Sequence, residues 1–162
     1  MNQSQKEQLI KKILAANEKL KIKTAKAYIN ASHNDREKIG GYGIVFIAPD
    51  GSREEIKEKI TQPEMLKGFN ISVKMAAAIK VMNLCIKHHV ERVELYHDLP
   101  ILESLTRENS KPNDVITKKY KENYLSLKNK LHITFINQKE INDDMNIELA
   151  KNLAKIAAGL KL

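Results

Sequence analysis

Five acidic side chains offer the hard oxygen ligands that a divalent metal ion such as Mg²⁺ prefers. They are Asp35, Asp98, Asp143, Asp144 and Glu148. One prediction is a metal site assembled from some of these residues. The alternative is solvent-exposed acids with one helical ion pair, because Glu148 and Lys151 are three residues apart and share a helix face. Asp98 directly follows His97, so on a strand these two side chains point to opposite faces.

The composition favours an anionic partner. The 162 residues include 28 Lys and Arg against 20 Asp and Glu, which gives a net charge of +8. This excess suggests nucleic acid as a partner, and the alternative is a solvated, lysine-rich surface. Tryptophan is absent and aromatic residues make up 5% of the chain, so few side chains are available to form a broad platform on which bases could stack.

The same numbers exclude several classes of protein. The chain is long enough for one hydrophobic core, and no apolar run approaches the roughly 20 residues of a membrane helix. Cys85 is the single cysteine, so neither an intramolecular disulfide nor a cysteine-built zinc site is expected. The first residues are polar and lack the apolar core of a signal peptide, so we expect a cytoplasmic protein.

Hydrophobic periodicity and turn residues predict an alternation of helices and strands. Helices are predicted over residues 4–22, 71–87, 101–105, 115–128 and 145–160, and strands over 26–30, 42–48, 53–61, 92–97 and 132–137. Three strands joined by turns and then two strands after helices predict an α/β fold, with a mixed five-stranded sheet and helices on both faces. We expect residues 1–24 to form an N-terminal helical extension and residues 25–162 the domain.

Six motifs in this order resemble the ribonuclease H family, in its compact bacterial form. They are AYINASHN at 27–34, GGYGIV at 40–45, FNISVK at 69–74, Tyr96-His97, the set Asn113, Thr117 and Tyr120, and IELAKNLAKIAAG at 147–159. The resemblance covers roughly residues 25–160 and implies the ribonuclease H-like fold.

The resemblance also implies where the chemistry should lie. Ribonucleases H use four carboxylates to hold two Mg²⁺ ions, which activate water and stabilise the leaving oxygen. The matching positions here are Asn30, Lys74, His97 and Lys151, and Ile141 matches the mobile histidine of the family. Four carboxylates carry −4, whereas these residues with a neutral histidine carry +2. The sequence therefore predicts a non-catalytic protein that holds no metal ion and no cofactor.

The resemblance further implies residues that contact nucleic acid. The candidates are Ser32, Asn34, Asn70, Lys74, Asn113, Thr117 and Lys151. Ser32 and Asn70 match the side that contacts RNA, Asn113 and Thr117 match the surroundings of a DNA phosphate pocket, and the two lysines would hold phosphates. The alternative is local structure: turns, the first turn of a helix, and lysines paired with Asp98 or Glu148. Two departures from the family are Ala31 in place of glycine and Phe69 in place of arginine.

Three functions follow from these observations. The first is a catalytically inactive protein that binds an RNA/DNA hybrid or another RNA-containing duplex, such as double-stranded RNA. The second is a structural or regulatory subunit that binds a polymerase, reverse transcriptase or nuclease through residues 4–22 or through the former active-site cleft. The third is an active nuclease whose metal site has moved to Asp98, Asp143, Asp144 or Glu148.

Overall fold

A computed structural model describes residues 1–68 and 70–162, without the side chains of residues 20–22, 70 and 144. Helices and strands follow the predicted order, except that a short helix stands between the third strand and the long central helix, where the sequence predicts none. Their bounds are α1 Gln3–Ile22, β1 Thr24–Asn34, β2 Ile39–Ile47, β3 Arg53–Ile60, α2 Pro63–Leu66, α3 Asn70–Lys87, β4 Arg92–His97, α4 Ile101–Ser104, α5 Val115–Leu127, β5 His132–Asn137 and α6 Asp144–Ala157. One 3₁₀ turn, Gln138–Glu140, follows β5.

The strands form one five-stranded sheet in the order β3-β2-β1-β4-β5. The pairs β1–β2 and β2–β3 are antiparallel, and β1–β4 and β4–β5 are parallel. The predicted α/β fold with a mixed sheet is therefore confirmed. Because β1, β4 and β5 run in the same direction, their carboxyl ends meet at one edge of the sheet, where ligands commonly bind in open α/β sheets.

Two hydrophobic clusters cover the two faces of the sheet. The larger cluster joins inward residues of α3, such as Met75 and Met82, to Ile29 and Leu95 of the central strands. The smaller cluster lies on the α6 face, where the rings of Tyr28 and Tyr96 stack with centroids 4.3 Å apart. Side chains of β1 therefore alternate between the α3 face and the α6 face.

Two glycines of β2 let α6 pack directly against the sheet. A Cβ atom on Gly41 would lie 2.7 Å from the backbone oxygen of Ala154, and one on Gly43 would overlap the backbone oxygen of Ala150. Gly43 pairs with Asn30 in the β1–β2 ladder. The close approach therefore sets the middle of α6 at the level of Asn30.

Helix α1 is exposed along its described length. Every side chain from residue 3 to residue 19 is exposed, including Leu9, Ile10, Ile13 and Leu14 at 46–58%. Among the described residues, no helix is both long enough and apolar enough to cross a lipid bilayer.

Candidate nucleic-acid interface

The carboxyl edge of the parallel strands carries a row of polar residues. The parallel register aligns Tyr28 of β1 with Tyr96 of β4, and Tyr96 with Ile136 of β5. Asn30, Asp98 and Gln138 each lie two residues beyond this apolar row. Side chains two residues apart on a strand share a face. Asn30 is still in β1, whereas Asp98 directly follows β4 and Gln138 begins the 3₁₀ turn after β5, so the edge carries polar residues just beyond the apolar row.

Asn30 occupies the centre of this edge and is buried. It is 4% exposed, and no described residue forms a hydrogen bond with its Nδ2 atom. Unpartnered buried amide groups are rare in folded proteins because desolvation costs free energy that no contact returns. Asn30 therefore has a donor available for a ligand.

Lys74 forms an ion pair with Asp98 across this edge. Lys74 Nζ lies 2.7 Å from Asp98 Oδ1, and the two side chains are 12% and 26% exposed. The orientation at Oδ1 makes this contact an ion pair rather than an aligned hydrogen bond. The pair confirms one alternative from the sequence, in which Lys74 is neutralised by Asp98.

The structure corrects the predicted placement of His97 in this cluster. The side chain of His97 lies against Phe135, with ring centroids 6.0 Å apart, and Phe135 packs on the α3-face cluster. Asp98 meets Lys74 instead, at the position that directly follows β4. The reason is strand alternation, which turns adjacent residues to opposite faces. The cluster at the edge therefore contains Asn30, Lys74 and Asp98, and not His97.

His97 has a structural environment of its own. It is buried, and its Nδ1 atom accepts a hydrogen bond from the backbone N–H of Leu99 at 3.0 Å. Burial lowers the pKa of His97, against a smaller raising effect of the nearby Asp98 and Glu103 carboxylates. The imidazole is therefore neutral at pH 7, as the sequence argument assumes.

Lys151 lies on α6 at the level of Asn30, next to Ala150, and its side chain is exposed. Among the described side chains, no carboxylate lies within 4.0 Å of its ammonium group. The helical ion pair predicted between Glu148 and Lys151 is therefore wrong. Lys151 has a cation free to meet a phosphate.

Several predicted contact residues are engaged inside the protein. The Asn34 amide donates to the backbone oxygen of Ala158 at 2.9 Å, and its Oδ1 accepts from the backbone N–H of Glu37 at 3.2 Å. Thr117 is buried and forms a reciprocal capping box with Asp114 at the start of α5. The structural alternatives for Asn34 and Thr117 therefore account for the hydrogen-bonding groups of both residues.

The remaining candidates divide into accessible and undescribed residues. Ser32 is half-buried at the end of β1, and Asn113 is exposed before α5. The side chain of Asn70, the whole of Phe69 and the side chain of Asp144 lie outside the described residues. The structure therefore leaves Ser32 and Asn113 accessible for the predicted contacts.

The acids proposed for a relocated metal site are dispersed. Asp143 accepts hydrogen bonds from the Tyr28 hydroxyl at 2.7 Å and from the backbone N–H of Asn146 at 3.1 Å, so it caps α6. Asp98 is paired with Lys74. Within the described part of the chain, no three His, Cys, Asp or Glu side chains are grouped closely enough to hold a metal ion.

Lys121 fixes the loop before α5, which the sequence does not reveal. Its buried ammonium donates to the backbone oxygens of Arg107, Glu108 and Ser110 at 2.9, 3.4 and 2.8 Å, and to the Ser110 hydroxyl at 2.6 Å. The loop that leads to Asn113 is therefore held by one buried cation.

Comparison with known proteins gives a match in structure alone. No family model matches the chain, and no curated protein matches its sequence. The ribonuclease H1 of the halophilic archaeon Halobacterium salinarum matches with a TM-score of 0.64 and 17% identity, over 84% of this chain and 98% of the archaeal chain. The chain has a ribonuclease H-like fold.

Two other structures with a ribonuclease H-like fold contain nucleic acid. The LC11 ribonuclease H1 in complex with RNA/DNA hybrid matches with a TM-score of 0.62 and 15% identity, over 83% of this chain and 96% of that chain. The foamy viral protease-reverse transcriptase in complex with double-stranded DNA matches with a TM-score of 0.60 and 14% identity, over 83% and 92%.

The four residues at the edge of this ribonuclease H-like fold carry a small positive charge. Asn30 is neutral, Lys74 and Lys151 contribute two positive charges, and Asp98 contributes one negative charge. The sum is +1, compared with +2 for the set that includes a neutral His97. The edge therefore combines a paired cation, an unpaired cation and an unpartnered amide.

Proposed function

We propose that this chain binds an RNA-containing duplex, an RNA/DNA hybrid first of all, and does not cleave it. The observation that carries the proposal is the charge at the carboxyl edge, where Lys74 and Lys151 stand in a ribonuclease H-like fold. The LC11 ribonuclease H1 structure contains an RNA/DNA hybrid, which supports the choice of ligand. Phosphate groups are the natural partners of exposed lysine ammonium groups.

The charge at this edge opposes two-metal hydrolysis. Two Mg²⁺ ions need several anionic oxygens at short distances. Asp98 is the one carboxylate of the cluster, and the Lys74 ammonium already contacts it at 2.7 Å. A divalent ion at Asp98 would have to displace this ammonium and would still meet the charge of Lys151. We therefore propose a pseudoenzyme.

A binding titration with a matched pair of variants tests the proposal. We expect Lys74→Gln/Lys151→Gln to bind labelled hybrid more weakly than the unaltered protein, with a shallower dependence of affinity on salt. Lys128→Gln/Lys130→Gln is the control, because both lysines are exposed at the other end of the parallel strands and the net charge changes equally. Equal losses in the two variants would show that only the net charge matters. The proposal would be refuted if the unaltered protein showed no detectable binding to the hybrid or to duplex RNA.

A cleavage assay tests the absence of activity. We expect no product from labelled hybrid in Mg²⁺ or in Mn²⁺. Cleavage that is abolished by EDTA and by Asp98→Asn would establish an active nuclease with a rebuilt metal site.

A second candidate function is binding to a protein partner through α1. The observation that favours it is the exposed apolar stripe of Leu9, Ile10, Ile13 and Leu14. An isolated helix gains little stability without packing of its apolar face. A polymerase, reverse transcriptase or nuclease that co-purifies stoichiometrically, and is lost from Ile10→Ser/Ile13→Ser, would favour this function if the chain alone binds no nucleic acid.

A further inference from the structure

Helix α1 carries an apolar stripe that its own domain leaves uncovered. Leu9, Ile10, Ile13 and Leu14 are 46–58% exposed. At about 3.6 residues per turn, these four side chains cover an arc of about 140° around the helix, with Leu9 at one border and Leu14 at the other. An apolar arc of this width is typical of a helix that buries one face against another structure.

Lysines border the apolar stripe on both sides. Around the helix, Lys12 lies about 60° outside Leu9. Lys11 lies about 60° outside Leu14, at the opposite border. Residues 3–26 contain seven lysines and two glutamates, which gives this segment a net charge of +5. A partner that fits α1 is therefore apolar where it meets the stripe and negatively charged along both borders.

A second copy of α1 does not meet both requirements. Leu9, Ile13 and Ala16 are spaced by four and three residues, as in the seam of a coiled coil. Lys12 and Lys19 then flank this seam at equivalent positions. In an antiparallel pair these lysines face their counterparts, and in a parallel pair they face positions that hold no carboxylate. Two copies would therefore bring positive charges together without neutralising them.

The surface of an anionic lipid bilayer meets both requirements, because its acyl chains are apolar and its headgroups are negatively charged. Basic amphipathic helices lie in the plane of such a surface without spanning it. Lysines at the borders of the apolar face extend their ammonium groups to the headgroups. A nucleic acid supplies the negative charge but no apolar layer. We infer that α1 docks on the surface of an anionic lipid bilayer, with the apolar stripe facing the acyl chains.

The place of α1 in the fold separates this surface from the carboxyl edge. Helix α1 ends at Ile22 and β1 begins at Thr24, so α1 joins the amino end of the strand. Asn30 lies six residues further along β1, a distance of roughly 20 Å. The bilayer and a duplex therefore contact opposite ends of β1, and this inference does not rest on the proposed function.

Binding of the whole chain to lipid vesicles tests the inference by co-sedimentation. We expect vesicles of equal parts phosphatidylcholine and phosphatidylglycerol to bind it at least roughly 10-fold more tightly than vesicles of phosphatidylcholine alone, because each lysine near an anionic surface contributes. This preference should weaken as salt is raised. Lys11→Gln/Lys12→Gln should lose most of it. Lys118→Gln/Lys119→Gln should retain it, because this control removes the same charge from exposed positions of α5.

Substitutions on the apolar stripe separate insertion of side chains from attraction between charges. Ile10→Ser/Ile13→Ser keeps the charge, and we expect at least roughly 10-fold weaker binding to the anionic vesicles, because two large side chains no longer leave water. Gln8→Ser/Ala15→Ser is the matched control on the opposite face, where both residues are exposed. It disturbs the helix at least as much, since isoleucine and serine have similar helix propensities and alanine has the highest. Circular dichroism establishes that each variant is folded.

The outcomes distinguish the bilayer from other partners. Absence of binding to the anionic vesicles, or equal affinity for both kinds of vesicle, overturns the inference. A dimer in sedimentation velocity that Ile10→Ser/Ile13→Ser dissociates would overturn it in favour of a second copy. A protein partner that is lost from the same variant, without vesicle binding, would overturn it in favour of that protein. Titration with labelled hybrid is a separate measurement, so failure of the inference leaves the proposed function intact, and the reverse also holds.

Discussion

Replacing Asp98 with asparagine should strengthen nucleic-acid binding, although it removes an ion pair. Lys74 Nζ lies 2.7 Å from Asp98 Oδ1, and this contact neutralises the lysine in the free protein. Asp98→Asn leaves the ammonium available to a phosphate and raises the summed charge of positions 30, 74, 98 and 151 from +1 to +2. One additional ammonium–phosphate contact at about 4 Å contributes about 1 kcal/mol in a water-like dielectric. The expected gain in affinity is therefore roughly 5-fold at low salt.

The salt dependence makes this expectation more specific. One added phosphate contact increases the slope of log affinity against log salt by about 0.9. Between 50 and 200 mM salt, the gain should therefore shrink by roughly 3.5-fold. Fluorescence anisotropy with a labelled hybrid at several salt concentrations measures both quantities.

Two controls identify Lys74 as the source of the gain. Asp50→Asn makes the same chemical change and the same change in net charge in the β2–β3 turn, seven residues beyond Gly43, which is the partner of Asn30 in β2. It should leave affinity nearly unchanged. In a Lys74→Met background, Asp98→Asn should give little further gain. A full gain in that background, or no gain in the single variant, would refute the reasoning.

Three further predictions concern the scaffold that positions the edge. Gly43→Ala should lower the free energy of unfolding by about 1–3 kcal/mol, because the added Cβ would overlap the backbone oxygen of Ala150 and α6 would have to shift. An unchanged midpoint of urea unfolding would contradict this packing. Lys121→Met should lower the free energy of unfolding by about 3 kcal/mol, because the backbone oxygens of Arg107 and Ser110 lose the ammonium that donates to them. Hydrogen exchange should increase first at residues 107–110, and a uniform increase would contradict the role of Lys121 in holding the loop. Burial places the folded-state pKa of His97 below the unfolded value of about 6.5. The contribution of His97 to stability is therefore complete above about pH 6.5 and is lost as pH falls through the folded-state pKa. Urea titrations at several pH values should show this loss for the unaltered protein, and the loss should be absent from His97→Gln.

Much of the fold could be predicted from local patterns in the sequence. The bounds of β4 and β5 are those expected, because alternating apolar residues end at clear turn residues. Strand β1 instead continues from the predicted end at Asn30 to Asn34. Its last residues are polar, and they are strand because β2 supplies ladder partners such as Gly41 opposite Ser32. A tertiary pairing of this kind leaves no periodic signal in β1 itself.

The candidate site was predictable in part. Lys74 and Lys151 could be found because they replace expected acids, and strand alternation separates Asp98 from His97 once the strand is placed. Which of these two adjacent residues joins the cluster depends on the register between β1 and β4, which sequence spacing does not define.

Residues with small polar side chains were the hardest to interpret. The amide of Asn34 suits a nucleic-acid contact and an internal hydrogen bond equally well, and the structure gives its partners as Ala158 and Glu37. Gln138 gave no signal, because it lies in the 3₁₀ turn after β5 and its burial comes from tertiary packing. Burial of a polar residue in a loop is a property of the tertiary structure, so only coordinates reveal the unpartnered atom.

The polar groups at the carboxyl edge favour a site that binds a ligand over a surface that binds none. A surface released from binding has no reason to keep unpaired polar atoms buried, since exposure to water or an apolar replacement would remove their cost. At this edge the protein keeps Asn30 buried with an unpartnered donor, and it leaves Lys151 exposed without a carboxylate among the described side chains. A neutral donor and a cation suit an anionic phosphate, which accepts hydrogen bonds, better than they suit a metal ion, and this favours the nucleic-acid binding that we propose. The same arrangement gives an apolar protein surface little to contact, so a protein partner is better accommodated by α1 than by this edge.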